Sequence, residues 1–419
     1  MTDKLRPRAE SAALHAAIRA FRDFGRATEV LETVADVEEV GTVRVPTYVN
    51  EFWTSKQRAA HSLHEISYRA CFKPQLPRFF LDRLTAPGDV VYDPFMGRGT
   101  TLIEAALRRR VPIGCDVNPL SRVLVEPRLR PPTIEEVAER LASIDFSKPA
   151  DGPDDLLVFY HPETLRELCV LRRYLREREA SGGLDPVDAW IRMVAVNRLT
   201  GHSPGFFSVY TMPPNQAVSV ASQRRINARR NQVPPRRDVP ALILRKSRSL
   251  LRDVDPETRD VLAEVAPRAI LLTADAAKTP TLPADSVDLV VTSPPFLDVV
   301  DYAQDNWLRC WFCGIDPESV PISIHRRLED WQATMTAVFR ELARVVRPEG
   351  WIAFEVGEVR HGTTKLEEAV LPCGVRAGLL PELVLINDQE FTKTSNCWGV
   401  ENRRKGTNTN RIVLFRRTS

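Results

Sequence analysis

The chain has 419 residues, of which 43% are hydrophobic and 27% are charged. This globular composition provides enough apolar material for a core and excludes a disordered chain. No run approaches the roughly 18 uninterrupted apolar residues of a membrane span, and the charged N-terminal segment has no apolar secretion signal. The 58 Lys and Arg residues against 55 Asp and Glu give a net charge of only +3, so bulk charge identifies no partner.

The seven cysteines are scattered along the chain without the spacing of a disulfide framework. This usage is typical of a reduced, cytoplasmic protein. Cys310 and Cys313 form a lone pair inside an apolar run, with no second pair or histidine beside them. Because zinc sites need four ligands, we interpret this pair as buried and structural, and we predict no metal site.

The N-terminal part of the chain has apolar residues at helical spacing. They predict one or two helices within residues 11–35, and residues 1–49 are interpreted as an N-terminal helical segment. A strand is predicted at 89–93, followed by a glycine-bearing turn and an amphipathic helix at 101–110. The next strand, at 111–116, ends in an acid. This order of elements is typical of the first half of a doubly wound sheet.

The α/β pattern is then interrupted and later returns. Residues 130–265 are polar and arginine-rich, and their apolar spacing predicts a helical insertion. Further elements are predicted after the insertion: strands at 269–275, 286–292, 351–356 and 411–415, and a helix at 329–347. The predicted fold is therefore one α/β domain with a doubly wound, mostly parallel sheet, whose two parts are residues 50–129 and 266–419.

The turn after the first predicted strand has the features of a ligand-binding loop, Asp93-Pro-Phe-Met-Gly-Arg-Gly-Thr100. Its glycines let the backbone approach a bound molecule, and the next helix directs its N-terminal N–H groups toward that molecule. Asp116 ends the following strand, where an acid can accept hydrogen bonds from ribose hydroxyls. Asp93 would repel a pyrophosphate but attract an ammonium group. The turn therefore favours S-adenosylmethionine over NAD or ATP, with a purely structural turn as the alternative.

A second motif, Thr292-Ser-Pro-Pro-Phe296, follows a hydrophobic strand. Two prolines fix the backbone φ angles where the chain leaves the sheet. A regular helix cannot then occupy their carbonyls with hydrogen bonds. Ser293 Oγ and the Pro294 carbonyl are acceptors that could hold an exocyclic amino group, and Phe296 offers an aromatic face for a planar base. Such a nitrogen attacks a methyl sulfonium directly, so the site needs positioning rather than a cysteine nucleophile. A simple strand terminator is the alternative interpretation.

The two motifs resemble those of the amino methyltransferases of DNA, which methylate the exocyclic amino nitrogen of cytosine or adenine. The segment 93–101 is similar to the cofactor motif of that family, and 292–296 is similar to its catalytic motif. The segment 72–77 resembles the part that completes the methionine pocket. The resemblance covers about half of the chain, and it implies S-adenosylmethionine as the cofactor and double-stranded DNA as the substrate.

The resemblance also implies which residues form the site. The implied cofactor-binding residues are Lys73, Pro74, Asp93, Phe95, Gly97, Gly99, Thr100, Thr101, Asp116, Asn118 and Asp275, and the implied catalytic residues are Ser293, Pro294, Pro295 and Phe296. Serine at the first position of the catalytic motif is the usual mark of cytosine-N4 methylation in this family, whereas adenine enzymes more often have Asp or Asn. Phe296 departs from the commoner Tyr, which keeps the stacking face but removes a hydroxyl.

In this family, the order of the motifs places target recognition in the insertion, here residues 130–265. The segment 224–248 contains nine basic residues and one acid. The residues expected to contact DNA phosphates are Arg224, Arg225, Arg229, Arg230, Arg236 and Arg237. A solvated helix face is the alternative for this run of charge.

The sequence thus predicts an enzyme that flips a cytosine out of DNA and methylates its N4 amino group. Three alternatives stay open: adenine-N6 methylation, methylation of an RNA amino group, and a catalytically idle DNA-binding regulator on the same fold. The implied partners are the nucleoid DNA and a restriction endonuclease of the same system. The chain is expected to act as a monomer or a homodimer.

Overall fold

The computed structural model describes residues 11–38, 40–54, 60–68, 71–212, 217–295, 302–321, 325–359, 364–388 and 409–418. The α-helices in this part of the chain are α1 (Ser11–Ala20), α2 (Gln75–Leu84), α3 (Thr100–Leu107), α4 (Leu120–Leu129), α5 (Ile134–Ser143), α6 (Pro162–Ala180), α7 (Pro186–Val196), α8 (Val220–Arg230), α9 (Val239–Leu250), α10 (Pro256–Val265), α11 (Tyr302–Cys313), α12 (Leu328–Val345) and α13 (Leu366–Arg376). None of these described helices is both long and apolar enough to cross a membrane.

The strands are β1 (Glu29–Val37), β2 (Gly41–Asn50), β3 (Val90–Asp93), β4 (Val111–Asp116), β5 (Ile270–Thr273), β6 (Val287–Thr292), β7 (Val346–Val356), β8 (Glu358–Val359), β9 (Thr364–Lys365), β10 (Leu380–Asp388) and β11 (Thr409–Arg416). β8 and β9 form a small separate ribbon, and the others form one sheet in the order β1-β2-β10-β11-β7-β6-β3-β4-β5. The five strands from β7 to β5 in this order are mutually parallel. The predicted doubly wound, mostly parallel α/β fold is confirmed.

The order of the strands reverses at β3. The chain runs outward from β3 to β4 and, after the insertion, to β5, and it then returns to β6 on the other side of β3. In open parallel sheets, ligands bind in the crevice beyond the carboxyl ends of the strands at such a reversal. The fold therefore brings the ends of β3 and β6 together at the point where a site is expected.

The central strands are buried on both faces, which explains their continuous hydrophobic sequences. Tyr92, Val290 and Phe354 point to the face that α12 and α13 cover. Val91 and Leu289, their neighbours along the strands, point to the opposite face, which α1 and α2 cover. This alternation follows the two-residue period of a strand.

The helices predicted between residues 130 and 265 are present as α5 to α10. Their buried residues belong to the same apolar cluster as α3 and α4: Trp190 and Leu168 pack in a core that includes Ile103 and Leu124. The inserted helices therefore stabilise the helices that follow the glycine turn, and they share one hydrophobic core with them.

The helical prediction for residues 11–35 and for the N-terminal segment 1–49 is correct for α1 but wrong for β1 and β2. These two strands form an antiparallel hairpin, and β2 extends the main sheet by pairing in parallel with β10. Thr33, Ala35 and Val37 are buried, and the residues between them are exposed. This is the two-residue period of a half-buried strand, which the helical interpretation of the apolar spacing overlooked.

Candidate cofactor and catalytic site

The two sequence motifs meet at the centre of the sheet. β3 pairs in parallel with β6, so that Tyr92 lies opposite Val290. One step beyond the paired residues, Thr292 Oγ1 donates a hydrogen bond of 2.6 Å to Asp93 Oδ1. The end of the glycine-turn strand is therefore bonded directly to the end of the strand that carries the Ser-Pro-Pro motif.

Asp93 is buried, with 1% of its surface exposed. Its carboxylate accepts hydrogen bonds from the Phe95 backbone N–H at 3.1 Å and from the Thr292 hydroxyl. Burial raises the pKa of Asp93 to about 7, against the opposing effect of these donors. The buried Asp93 side chain thus bonds the glycine turn to the end of β6.

Asp116 holds the same turn from the neighbouring strand. Its two carboxylate oxygens each accept a 2.9 Å hydrogen bond, one from the Gly97 N–H and the other from the Asn118 N–H. Burial raises the pKa of Asp116. Gly99 completes the turn in the left-handed region, with a φ of 73°, and a Cβ there would lie 2.4 Å from a methyl group of Val125. Only glycine allows α3 to start this close to α4.

A buried arginine that the sequence did not identify supports the turn from below. The side chain of Arg128 is fully buried in α4, and its guanidinium donates to the carbonyls of Leu63, Leu124 and Arg98. Arg98 lies between the two glycines of the turn. Burial lowers the pKa of Arg128 to about 9. The arginine therefore links the glycine turn to the chain segment that precedes α2.

A cavity of about 280 Å³ opens above these strand ends. Seven of the predicted site residues line it: Phe95, Gly97, Asp116, Asn118, Asp275, Ser293 and Pro295. Its remaining wall is mainly apolar and includes Tyr68, Trp331 and Met335. A mostly apolar concave site with a few converging polar groups is the usual form of a small-molecule pocket.

Other predicted site residues lie outside the cavity lining: Lys73, Pro74, Asp93, Gly99, Thr100, Thr101 and Pro294. Thr101 Oγ1 donates to the Val291 carbonyl at 3.0 Å, and Thr100 Oγ1 accepts from Arg98 Nε at 3.2 Å. These threonines therefore connect the turn to the protein around it. Phe296 lies outside the described residues.

Glu355 is a site residue that the sequence analysis missed. It lies near the end of β7, is 6% exposed, and forms hydrogen bonds with the side chains of Ser293 and Asn410. Asn410 Nδ2 donates to Glu355 Oε1 at 3.0 Å. Burial raises the pKa of Glu355 to about 7, and the hydrogen bonds of Ser293 and Asn410 oppose this rise. A serine hydroxyl at the cavity wall is therefore coupled to a carboxyl group that titrates near neutrality.

The two prolines of the motif have different surroundings. Trp331 is buried in α12, and its indole N–H donates to the Pro295 carbonyl at 2.9 Å. Among the described residues, none donates a hydrogen bond to the Pro294 carbonyl. The indole thus fixes the Ser-Pro-Pro segment in place and leaves one carbonyl acceptor beside the Ser293 hydroxyl.

The arginines predicted to contact DNA divide into two groups. Arg224 pairs with Asp155 at 2.7 Å, and Arg236 pairs with Glu163 and Glu167, so both are neutralised within the protein. The other four form no ion pair with a described carboxylate: Arg225, Arg229, Arg230 and Arg237. The guanidinium of Arg230 lies 3.8 Å from the centre of the Tyr210 ring.

Two histidines of the segment before α2, and the cysteine pair of the sequence analysis, have structural surroundings. His61 Nε2 lies 2.9 Å from the Asp253 carbonyl oxygen. His64 Nε2 lies 3.0 Å from Glu104 Oε2, and burial lowers the pKa of His64 to about 4. Cys310 and Cys313 are buried in α11, and burial raises the pKa of both thiols.

The comparison with known families bears on the part of the chain that carries the glycine turn. Residues 30–121 match the model of a family described as DNA methylase. Over this segment, the chain is similar to the DNA methylase family. The matched segment contains β3, the glycine turn and β4 with Asp116, so the family resemblance predicted from the sequence is confirmed there.

Two curated relatives of the chain are type II methyltransferases. The type II methyltransferase M.MjaII of Methanocaldococcus jannaschii is 35% identical over 101 residues, which is 23% of this chain and 19% of the relative. The type II methyltransferase M.BsoBI of Geobacillus stearothermophilus is 21% identical over 305 residues, which is 64% of this chain and 55% of the relative. The chain thus spans at most about half the length of these relatives.

Among solved structures, the chain is similar to the rRNA methyltransferase AviRa of Streptomyces viridochromogenes. The two align over 87% of this chain and 94% of that chain, with 14% sequence identity and a TM-score of 0.35. Similarity at this level establishes no functional relation.

Proposed function

We propose that the chain is a DNA methyltransferase that uses S-adenosylmethionine and methylates the exocyclic N4 amino group of cytosine. The observation that carries the proposal is the coupling of Ser293 to Glu355 at the wall of the cavity that the glycine turn forms. The family match over residues 30–121 and the two type II relatives support DNA methylation. Serine in the catalytic motif favours cytosine N4 over adenine N6.

The cavity fits an amino-acid-bearing nucleoside. The carboxylates of Asp116 and Asp275 lie on its wall, where acids accept hydrogen bonds from ribose hydroxyls and an exocyclic amino group. The space over Gly97 is open to a ligand, because a Cβ there would meet only the Tyr68 ring, at 3.7 Å, and a backbone oxygen at 3.9 Å. The bound cofactor supplies a methyl group on a sulfonium, which a neutral amine can attack.

The residues of the catalytic motif would then position the amine. The Pro294 carbonyl accepts one amino hydrogen, and Ser293 Oγ accepts the other while its own hydroxyl proton points to Glu355. With both hydrogens held, the nitrogen lone pair is directed at the methyl group, which is catalysis by orientation. As the N–C bond forms, the methyl–sulfur bond breaks and its electron pair stays on the sulfur, which leaves as a neutral thioether. The nitrogen becomes positive and releases a proton. Ser293 can pass that proton to Glu355, whose pKa near 7 suits a general base.

In duplex DNA the target amino group is paired and stacked. We propose that the base is flipped into the cavity, at a cost of a few kcal/mol. Residues 130–265 are proposed to recognise the target sequence, and Phe296 to stack against the extruded base. A restriction endonuclease of the same system is the further partner that type II methylation implies.

The decisive experiment is methyl transfer from isotope-labelled S-adenosylmethionine to genomic DNA, followed by identification of the modified nucleoside. We expect N4-methylcytosine. N6-methyladenine would show that the site acts on the other base, label in RNA alone would identify an RNA substrate, and cofactor binding without any transfer would identify a regulator.

Asp116→Ala is expected to weaken S-adenosylmethionine binding by about 10-fold or more. The variant loses a charge-assisted hydrogen bond, worth about 1.5–3 kcal/mol, and it also frees the Gly97 N–H that shapes the turn. Calorimetric titration measures the affinity, and a thermal unfolding curve monitors the fold. Glu126→Ala, which removes an exposed acid of α4, is the matched control. If Asp116→Ala bound S-adenosylmethionine with wild-type affinity, the assignment of Asp116 to the cofactor site would be wrong.

Arg225→Gln combined with Arg229→Gln is expected to flatten the salt dependence of DNA binding. Each lost phosphate contact removes about 0.9 from the slope of log affinity against log salt. Arg224→Gln should change the slope much less, because Asp155 already neutralises that side chain. Binding to a labelled duplex is measured over a range of salt concentrations. Equal slopes for all variants would show that this face of α8 is only solvated.

A further inference from the structure

A second group of basic residues comes together from separate segments, and two of its members belong to the basic run 224–248. Arg198 follows α7, and Arg245 and Lys246 lie on α9. We refer to these three residues as the α9 basic cluster. Its charges are close enough to interact. Burial lowers the pKa of Arg198 to about 10, with a smaller contribution from the charge of Arg245. Burial lowers the pKa of Lys246 to about 8, with a smaller contribution from the charge of Arg198.

The two arginines of the cluster frame one exposed loop. The Arg198 guanidinium lies 4.1 Å from the centre of the Phe206 ring, and Arg245 Nη2 donates to the Pro204 carbonyl at 3.3 Å. A Cβ placed on Gly205 would lie 3.4 Å from Arg245 Nη2 and 4.0 Å from Arg198 Nη1. Two guanidinium groups therefore converge on a loop residue that has no side chain to cover them.

The cluster carries charge that the protein does not neutralise. Among the described residues, no carboxylate forms an ion pair with Arg198 or Arg245. Glu65 lies 3.8 Å from Lys246 Nζ, but it also accepts a 3.0 Å hydrogen bond from Arg252. This differs from Arg224, whose charge Asp155 offsets.

The cluster is linked to the cavity wall through a short segment of the chain. Asn197, the residue before Arg198, accepts a 2.8 Å hydrogen bond from the Ser67 N–H. The Ser67 carbonyl accepts a 3.2 Å hydrogen bond from Arg309 on α11. The next residue, Tyr68, forms part of the cavity wall. Arg198 therefore directly follows a residue whose side chain is bonded to the segment 67–68 at the cavity wall.

We propose that Arg198 and Arg245 bind backbone phosphates of the DNA next to the nucleotide that enters the cavity, and that Lys246 adds to the positive charge behind them. The proposal rests on the proposed function, because it takes DNA as the substrate. Converging arginines without carboxylate partners suit phosphate oxygens, which accept bidentate hydrogen bonds from guanidinium groups. A contact at this position would hold the strand from which the target base is extruded.

The test compares Arg198→Gln/Arg245→Gln with wild type on a fluorescein-labelled duplex of arbitrary sequence, because phosphate contacts carry no sequence information. Anisotropy titrations at several salt concentrations give the slope of log affinity against log salt. We expect the double variant to lower the magnitude of the slope by about 1.8, and Arg245→Gln alone by about 0.9. Arg173→Gln removes an exposed arginine on α6 that forms no ion pair with a described carboxylate, and it should leave the slope unchanged.

Steady-state methylation adds a second measurement. The double variant should have a raised KM for DNA and a nearly unchanged kcat, since these contacts hold the substrate before and during reaction equally. Calorimetric titration with S-adenosylmethionine monitors the fold. If the double variant loses cofactor affinity, the exposed Arg245→Gln variant decides the question.

The outcomes separate this proposal from the proposed function. Methylation of DNA by wild type, together with unchanged slopes in both variants, overturns the phosphate site and leaves the function standing. Salt-dependent DNA binding that the variants weaken, without methyl transfer by wild type, overturns the function and supports the site. A wild-type chain that does not bind DNA overturns both.

Discussion

Ser293→Ala is expected to lower the rate of methyl transfer by on the order of 10²–10³, with little change in the affinity for cofactor or DNA. The hydroxyl is proposed to accept a hydrogen bond from the target amino group and to pass on its proton. Both interactions strengthen as the nitrogen attacks, and an interaction of that kind affects the rate rather than binding. The magnitude follows from the loss of one preorganised polar group in other active sites.

Single-turnover assays with saturating cofactor and DNA measure this effect. Ser286→Ala is the matched control, because Ser286 precedes the opposite end of β6 and, among the described residues, its hydroxyl bonds only to the Pro283 carbonyl. The control should react at the wild-type rate. If Ser293→Ala also did so, the catalytic role of the Ser-Pro-Pro motif would be wrong, whatever base the enzyme methylates.

The sequence was sufficient to predict where the two motifs lie, because both follow short hydrophobic strands and contain residues that cannot continue a helix or a strand. Glu355 could not be found in this way. It lies within a hydrophobic strand, and its contact with Ser293 depends on the register in which β6 pairs with β7. Thr292 lies opposite Phe354 in that pairing, so the next residues, Ser293 and Glu355, come side by side.

Two other differences between sequence and structure have similar causes. The apolar residues of β1 also fit a helical spacing, and only the pairing of β2 with β10 shows that the segment belongs to the sheet. The run of arginines near α8 gave no information about Asp155 or Glu163, which come from elsewhere in the chain and neutralise two of them. The local sequence pattern predicts helices and strands, whereas the neutralisation of a charged side chain depends on tertiary contacts.

The pH dependence of methyl transfer is expected to depend on Glu355. The carboxylate form accepts the Ser293 proton, and burial raises the pKa of this group from its ordinary value of 4.5 to about 7. At saturating cofactor and DNA, kcat should therefore rise as the pH increases through about 7. Glu355→Gln should remove this rise and lower the plateau by about 10²-fold, the low end of the contribution of a general base.

The contribution of Glu355 to the free energy of unfolding should fall as the pH increases, whereas kcat rises. The catalytic effect of this group can therefore be distinguished from its effect on stability. The folded state binds the Glu355 proton more tightly than the unfolded chain does. The contribution of this group to stability is therefore fully present below about pH 4.5 and is lost as the pH rises through about 7. Relative to wild type, Glu355→Gln should gain free energy of unfolding over that interval. A rate that increases there cannot result from a larger folded fraction.

Asp93 also has a pKa near 7, so a second variant is needed to assign the titration. Asn410 donates to Glu355 at 3.0 Å, and this bond favours the ionised carboxylate. Asn410→Ala removes the bond, so it should raise the pKa of Glu355 and move the midpoint of the kcat profile to higher pH. In the described part of the chain, Asn410 does not contact Asp93, whose carboxylate accepts hydrogen bonds from Phe95 and Thr292. A midpoint that stayed in place in Asn410→Ala, or a pH-dependent rate that persisted in Glu355→Gln, would exclude Glu355 as the group that receives the proton.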